Sequence, residues 1–414
     1  MKACVEDTET GTPGNVSSVA PLEIEVAVLT GGFDRPYAFG LSMALISRGM
    51  CLDVIGSTEV DSPEMHSTPQ LNFLNLQGDP RERVGSIRKG LKVLNFYTRL
   101  MRYAVTAKPK IFHILWNNKF PFFDRTILML YYKLLGKKVV FTAHNVNAGK
   151  RDLNDSMLNR LTLKIQYRLA DHIFVHTEKM KAELLEDFGV RENVITIIPF
   201  GINNSVPETD LTSAEAKRHL GIGPGERTIL FFGAIRQYKG LEYLVAAFQR
   251  IMAKRGNCRL IIAGEPKKGT EQYLSEIQQS ISRDPSRDRV IQRIEFIPDS
   301  ETELYFKAAD VSVLPYTLIF QSGVLFLSYS FGLPVIATDV GSFGEDIVEG
   351  RTGLVCKARD ADDLAGAIER YFDSDLYRNL DSRRQDIREY TNSRHSWSMV
   401  GDMTRNVYES LAAK

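Results

Sequence analysis

The sequence predicts two consecutive α/β domains, each built on a parallel sheet that is covered by helices. Short apolar runs of strand length alternate with helical patterns, a Pro, Gly and Asn-rich stretch at 199–207 interrupts them, and the alternation then begins again. Such alternation is the signature of a parallel sheet. The length of 414 residues suits two or three domains with cores of their own. We therefore expect one domain at 23–200, a second at 201–395, a C-terminal helix at 396–414 that packs back on the first domain, and a disordered leader at 1–22.

The composition is that of an ordinary soluble enzyme, with 43% hydrophobic and 25% charged residues. A formal net charge of +1 gives no overall basic excess for nucleic-acid binding. The four cysteines lie far apart without a C-x-x-C pair, which argues against a metal or redox motif and favours a reduced, cytosolic setting. The apolar runs are shorter than the ~20 residues of a transmembrane helix, and the first residues lack the pattern of a signal peptide.

The first domain begins with a β-α-β unit. A strand is predicted at 23–30, and the loop that follows it contains Gly31 and Gly32. Ligands bind at the carboxyl ends of parallel strands, so both glycines are candidate binding residues, although a tight turn without a ligand is the alternative. His144 follows the strand predicted at 138–143 and reaches the same sheet edge, where a purely structural histidine is the alternative. Further strands are predicted at 51–56, 111–116, 172–176 and 194–198.

The segment 81–110 carries nine Lys or Arg residues against one acid, Glu82. Apolar residues recur among them at helical spacing, which predicts a basic amphipathic helix. A solvated helix face is one interpretation, and a surface that binds anionic lipid is the other. The apolar positions are Leu91, Leu94, Tyr97, Leu100, Met101 and Ala104.

In the second domain, two cations flank a loop that leads into a helix. Arg236 and Lys239 stand between a strand predicted at 228–232 and a helix at 240–254. Cations beside the free N–H groups of a helix N-terminus form a phosphate site, with solvated surface cations as the alternative. Further strands are predicted at 259–263, 294–297 and 310–314.

The apolar stretch 315–338 contains a second candidate anion site. Ser322 is predicted to cap a short helix that ends at Gly332. The N–H groups of Ser322, Gly323 and Val324 would then face an anion such as a diphosphate, and Gly323 has no side chain to hold it away. An ordinary strand-loop-helix-strand unit is the alternative.

These motifs together resemble the retaining, nucleotide-sugar-dependent glycosyltransferases of the GT-B fold, family 4. Residues 233–240 are similar to the phosphate-binding loop of that family, and 308–316 to the strand after it. The resemblance covers nearly all of 23–414 and implies two Rossmann-like domains that face one another across a cleft. Further matching segments are 332–338, 341–345, 350–354 and the interdomain crossing 198–202.

The sequence departs from the family pattern at two places. Ala234 stands where the family commonly has an arginine, and Arg236 is the expected replacement. Ile319 and Leu327 stand where the family has the glutamate pair of E-x7-E, while 321–323 resembles its Ser-Gly variant. The missing pair leaves the contacts to the donor sugar and ribose unassigned.

The resemblance implies transfer of a sugar from a nucleoside diphosphate to a hydroxyl acceptor, a glycan or a lipid-linked molecule, with retention of configuration. His144, Arg236 and Lys239 are the expected catalytic residues. No D-x-D pair stands at either loop, so neither a metal nor a cofactor is expected. We expect a cytoplasmic protein at the inner face of the membrane. The expected donor-binding residues are Gly31, Gly32, Arg236, Lys239, Gln321, Ser322, Gly323 and Val324.

The missing glutamates leave one alternative open, a non-catalytic nucleotide-sugar-binding partner of another transferase. A sugar-nucleotide epimerase on the same fold would need carboxylates in the cleft, and the sequence does not place them.

Overall fold

The computed structural model describes residues 24–413 except 81, 83–84, 152–154 and 203–205. The expected leader therefore lies outside the described residues, as do Arg81 and Arg83 of the basic segment. The described part of the chain forms two α/β domains with parallel sheets, which confirms the predicted fold class.

The first domain is organised around a seven-stranded parallel sheet in the order β3-β2-β1-β4-β5-β6-β7. Helices cover both faces of the sheet, and for that reason its inner strands are mostly apolar. The strands are β1 Glu25–Leu29, β2 Cys51–Gly56, β3 Leu71–Asn75, β4 Ile111–Ile114, β5 Lys138–Thr142, β6 His172–Val175 and β7 Ile195–Ile197. The helices are α1 Arg35–Ile46, α2 Pro63–Ser67, α3 Ser86–Thr106, α4 Pro121–Phe123, α5 Met129–Leu134, α6 Ala148–Arg151, α7 Met157–Leu169 and α8 Glu178–Glu186, with a π-helical stretch Asp124–Leu128 between α4 and α5.

The second domain also contains a parallel sheet, which has six strands in the order β10-β9-β8-β11-β12-β13. The strands are β8 Arg227–Phe232, β9 Cys258–Ala263, β10 Val290–Arg293, β11 Val311–Leu314, β12 Val335–Thr338 and β13 Gly353–Cys356. The helices are α9 Ser213–His219, α10 Leu241–Arg255, α11 Glu271–Arg283, α12 Asp299–Ala308, α13 Gly323–Ser330, α14 Phe343–Asp346, α15 Ala361–Phe372, α16 Asp375–Arg378 and α17 Leu380–His395.

One predicted strand is wrong in position. The sequence predicts a strand at 294–297, but β10 lies immediately before it. The half-buried Val290 and Ile291 of β10 pair with β9, whereas Phe296 is exposed. Apolar content alone therefore chose the wrong half of this edge segment.

The last helix, α18 Trp397–Ala412, packs against α1 of the first domain. Its residues Val400, Tyr408 and Leu411 are buried in the apolar core on that face of the first sheet. The Tyr408 hydroxyl also hydrogen-bonds Nδ1 of His113 on β4 at 2.5 Å. The chain thus crosses from the first domain to the second near residue 200 and returns after α17.

In the described part of the chain, none of the helices combines the length and the apolar character needed to cross a membrane.

Candidate active site

A cleft of about 370 Å³ lies between the two domains. The loops that line it follow the carboxyl ends of β1, β4 and β5 on one side and of β8 and β11 on the other, where ligands of parallel sheets bind. Phe200 and Gly201 of the domain crossing and Trp397 of α18 complete the lining. The predicted residues His144, Lys239, Gln321, Ser322, Gly323 and Val324 all line this one cleft.

His144 is held in place by aromatic rings. Its imidazole stacks on Trp116 with 4.3 Å between centroids and meets the edge of Tyr37 at 4.5 Å. Burial, reinforced by the neighbouring imidazoles of His176 and His113, holds the pKa of His144 well below its ordinary value. The ring is therefore neutral at physiological pH.

A hydrogen-bond chain decides which nitrogen of His144 carries the proton. The Ile198 carbonyl can only accept, so His176 donates to it from Nδ1 at 3.1 Å. Burial lowers the pKa of His176 to about 4, so its Nε2 carries no proton and accepts from Nδ1 of His144 at 3.1 Å. Nε2 of His144 is left as a buried acceptor without a partner among the described residues. The first-domain wall of the cleft therefore offers an acceptor for a hydroxyl group.

Asp34 adds a carboxylate to the same wall. It caps α1 by accepting from the Tyr37 N–H at 3.4 Å, with its backbone in the left-handed region at φ 59°. Burial raises the pKa of Asp34 to about 6. Among the described residues that line the cleft, Asp34 is the one carboxylate, so a pair of the kind that an epimerase needs is absent there.

Lys239 brings a positive charge to the opposite wall. It is only 7% exposed, and its ammonium lies 5.3 Å from the centroid of the Tyr316 ring. Burial, together with the charges of Arg236 and Lys267, lowers the pKa of Lys239 to about 8. Because this value is still above neutrality, the side chain is mostly charged at pH 7.

The N-terminus of α13 lies beside this charge. A Cβ built on Gly233 would lie 3.1 Å from Nζ of Lys239 and 3.4 Å from Cγ2 of Val324, so both groups approach the same glycine. A Cβ on Gly323 would meet no atom within 4 Å. Ser322 occupies the N-cap position, but its side chain makes no capping hydrogen bond, so the capping role expected for it is wrong.

Apolar side chains occupy the places of the missing glutamates. Ile319 and Leu327 both line the cleft and are 8% and 7% exposed. The neighbouring amide of Gln321 donates to Asp346 at 3.5 Å, while its buried Oε1 has no partner among the described residues. Gln321 therefore supplies an unpaired acceptor between the two apolar positions.

Three predicted residues lie away from the cleft lining. Arg236, at the other end of the single 3₁₀ turn Gln237–Lys239, lines a separate cavity. Gly31 and Gly32 are buried turn residues with φ 67° and 88°. A Cβ on Gly31 would lie 2.7 Å from that of Trp116, and one on Gly32 would overlap the Gln77 side chain. The two glycines thus let neighbouring loops pack closely. This agrees with the alternative given for them above, a tight turn without a ligand.

Sequence reasoning missed three residues that shape the site. Asp34 precedes Pro36 at the start of α1, and an N-cap signal marks it. His176 follows β6, which pairs with the strand before His144, so the strand order could have placed the two histidines together. Trp116 gave no signal, because its role depends on its stacking with His144.

Two parallel-sheet domains that form a cleft at the carboxyl ends of their strands have the GT-B architecture of glycosyltransferases. Sucrose-phosphate synthase from Thermosynechococcus elongatus shares the fold with a TM-score of 0.75 and 20% identity, over 94% of this chain and 99% of that chain. HepE from Anabaena, solved with UDP and glucose, shares it with a TM-score of 0.72 and 14% identity, over 94% of this chain and 100% of that chain.

Two family models match the chain, one in each of its two domains. Residues 36–206 match the model described as Glycosyltransferase Family 4, and residues 226–374 match the one described as Glycosyl transferases group 1. The chain therefore belongs to this family of glycosyltransferases.

The curated relatives differ in how much of their length is matched. D-inositol 3-phosphate glycosyltransferase from Pseudarthrobacter chlorophenolicus is 29% identical over 250 residues, which span 59% of this chain and only 58% of that protein. The protein of the same name from Acidothermus cellulolyticus is 24% identical over 386 residues, which span 89% of this chain and 85% of that protein. Glycogen synthase from Mycobacterium tuberculosis is 28% identical over 283 residues, 67% of this chain and 63% of that protein.

Proposed function

We propose that the protein transfers a sugar from a nucleoside diphosphate to a hydroxyl acceptor with retention of configuration. The observation that carries this proposal is the pairing, across one cleft, of Lys239 and the α13 N-terminus with the hydroxyl acceptor Nε2 of His144. The crystal structure of HepE with UDP and glucose, and relatives named for glycosyl transfer to an inositol phosphate, support a nucleotide-sugar donor and a hydroxyl acceptor.

The two walls have different tasks in this reaction. As the bond from the sugar to the diphosphate breaks, negative charge grows on the diphosphate, where Lys239 and the N–H groups at Gly323 and Val324 stabilise it. His144 orients the sugar by accepting a hydrogen bond from one of its hydroxyls. Retention requires the acceptor oxygen to bond on the face from which the diphosphate leaves, so the departing diphosphate oxygen lies beside the acceptor hydroxyl and takes its proton.

Release of free nucleoside diphosphate tests the proposal. The protein is incubated with a panel of nucleotide sugars, and we expect release from one donor, faster when the acceptor is present. Lys239→Ala should lower turnover by more than it weakens donor binding, because its charge is complementary above all to the transition state. NMR of the product anomer checks retention. Full activity after treatment with a chelator is expected, since the proposed reaction uses no metal.

The replacement of both glutamates by Ile319 and Leu327 favours one alternative, a non-catalytic nucleotide-sugar-binding protein. Such a protein would bind the donor with a normal dissociation constant and release no diphosphate with any acceptor. Binding and release measured on the same preparation therefore separate the two functions.

We also propose that the acceptor is reached at an anionic membrane surface on the cytoplasmic side. One face of the second half of α3 is buried against the domain, but Ile87, Leu91 and Leu94 in its first half are 82%, 60% and 65% exposed. Arg88, Lys89 and Lys92 lie between them, so apolar and basic groups alternate on an open helix surface.

The neighbouring segment extends this exposed surface. Tyr97 of α3 stacks on Phe120 at 5.7 Å, and the Tyr131 hydroxyl donates to the Met101 carbonyl at 3.2 Å, so the α4–α5 segment lies along α3. Its own apolar side chains Phe120, Phe122, Ile127, Leu130 and Leu134 are exposed.

Sedimentation with vesicles tests the membrane proposal. We expect binding to phosphatidylglycerol vesicles that weakens steeply with salt, because the attraction acts within a Debye length, and little binding to phosphatidylcholine. The double variant Leu91→Gln/Leu94→Gln should lose it. Val105→Gln, an exposed position at the other end of α3, is the matched control. Binding that is equal for both lipids and insensitive to salt, or no binding at all, would leave only a solvated helix face.

A further inference from the structure

A second cavity, here called the basic cavity, lies in the second domain next to the cleft and holds about 590 Å³. It is walled by the 3₁₀ turn at 237–239, the start of α10 and the loop before α11. The backbone joins these parts, since the Ile235 N–H donates to the Glu265 carbonyl at 2.8 Å and the Lys267 N–H donates to the Ile235 carbonyl at 3.3 Å. The cavity is thus shaped by paired backbone segments.

The lining of the basic cavity is strongly positive. It contains Arg236, Lys267, Lys268 and Arg359 against a single carboxylate, Glu242. That carboxylate already accepts a hydrogen bond from the Tyr273 hydroxyl. Lys267 is paired with Glu265, outside the lining.

Three of the four cations have no counter-charge in contact. Within the described part of the chain, the side chains of Arg236, Lys268 and Arg359 make no ion pair or hydrogen bond. Unpaired cations that converge on one cavity favour an anionic occupant, and guanidinium groups suit the oxygens of a phosphate.

The rest of the lining of the basic cavity is suited to the ring of a sugar. Tyr238, Tyr243 and Tyr273 line the basic cavity with Thr317, so aromatic faces and hydroxyl groups stand beside the cations. A free phosphate would leave most of the volume unfilled, whereas a sugar ring can lie on tyrosine faces and exchange hydrogen bonds with their hydroxyls. We propose that the basic cavity is a second ligand site, separate from the cleft, that binds a phosphorylated sugar.

The basic cavity and the cleft share a wall. Tyr238 lines both, and its carbonyl accepts from the Thr317 N–H at 2.7 Å. Thr317 and Leu318 line the basic cavity, while Ile319 and Gln321 next along the chain line the cleft. An occupant of one space therefore contacts the chain segment that shapes the other.

Isothermal titration calorimetry with glucose 6-phosphate tests the proposal, both alone and with UDP present in saturating amount. We expect saturable binding of one molecule per chain, equally tight or tighter with UDP. The double variant Arg236→Gln/Lys268→Gln should weaken it by about tenfold or more, the scale of a lost charge-assisted hydrogen bond. The matched control is Lys357→Gln, which changes an exposed lysine two residues before Arg359 and outside the cavity lining.

Several results would overturn the proposal. These are absence of saturable binding, an equal loss in Lys357→Gln, or competition with UDP, which would place the probe in the cleft. Inorganic phosphate that binds as tightly as glucose 6-phosphate would exclude a role for the sugar and for the tyrosines. The test needs no turnover, so a protein that fails to transfer sugar or to bind UDP would still show whether this site exists.

The shared wall predicts an effect on the cleft as well. Besides burial, the positive charges of Arg236 and Lys267 lower the pKa of Lys239. A phosphate bound beside Arg236 and Lys267 would offset these charges and should therefore raise the pKa of Lys239. UDP affinity should then persist to higher pH when glucose 6-phosphate is bound. An unchanged pH profile, despite saturation of the site, would show that the two sites are independent.

Discussion

At the scale of single residues, burial acts on His144 and Lys239 in the same direction but with different consequences. It lowers the pKa of both, because burial disfavours a charge. An imidazole starts near 6.5 and becomes fully neutral, whereas an ammonium starts near 10.4 and at about 8 still carries most of its charge at pH 7. One wall of the cleft thus accepts hydrogen bonds while the other attracts an anion.

The acceptor on His144 depends on His176, which lies behind it and acts as a positioning residue. In His176→Leu, Nδ1 of His144 has no acceptor, so the proton is free to move to Nε2 and the cleft then faces a donor. We expect turnover to fall by about tenfold, the scale of one lost hydrogen bond, and His176→Gln to recover part of it through its side-chain carbonyl. Nitrogen NMR of the His144 ring reports the tautomer directly. An unchanged tautomer and rate in His176→Leu would disprove this dependence.

The charge on Lys239 predicts a pH profile for donor binding. In the proposed site the ammonium is charged below pH 8, where it would attract the diphosphate, and above pH 8 it loses its proton. The dissociation constant of UDP should therefore rise above pH 8, by up to about tenfold per pH unit. Titrations between pH 6 and 10 measure it, and Lys239→Arg should show a flat profile because arginine keeps its charge. The same rise in Lys239→Ala would assign it to another group.

At the scale of secondary-structure elements, sequence patterns placed buried strands better than they placed side chains. Strands buried on both faces are mostly apolar, and this pattern predicts β4 and β11 although each contains one polar residue, His113 and Ser312. The edge strand β3, Leu71–Asn75, was missed, since its alternating and half-polar residues resemble a loop. The rule that ligands bind at the carboxyl ends of parallel strands correctly predicted that His144, Lys239 and 321–324 lie in one cleft. Arg236 was misplaced because a loop does not reveal on which side a side chain lies.

The N-terminus of α13 gives a prediction about two adjacent residues. Gly323→Val should abolish donor binding and leave the fold intact, because its side chain would enter open space where the diphosphate is expected. Ser322→Ala should cost less than the ~1 kcal/mol of a lost N-cap, since its side chain makes no capping bond. Donor titrations and thermal unfolding of both variants measure this. A Gly323→Val protein that binds the donor as tightly as the parent would place the phosphates elsewhere.

At the scale of the whole molecule, the contacts between the domains are concentrated at the chain crossing. Phe200 stacks on Phe326 of α13 with 5.2 Å between centroids. Nε1 of Trp397 donates to the Ile202 carbonyl at 2.9 Å, and the Ile202 N–H donates to the His395 carbonyl at 2.9 Å. The two chain crossings are thus bonded to one another, which makes this region the natural hinge for movement of the domains.

In the described part of the chain, one exposed hydrogen bond joins α8 to the second domain, where Lys179 donates from Nζ to the Gly341 carbonyl at 2.7 Å. One such bond contributes only about 0.5–1.5 kcal/mol, and Phe320 of the second domain also packs on the core of the first. In Lys179→Met we expect a larger radius of gyration by small-angle X-ray scattering without donor, a smaller difference at saturating donor, and a raised KM with little change in kcat. Lys181→Met is the matched control, because Lys181 on the same helix pairs with Glu192 inside the first domain. If both variants scatter like the parent, the bond from Lys179 has no part in setting the width of the cleft.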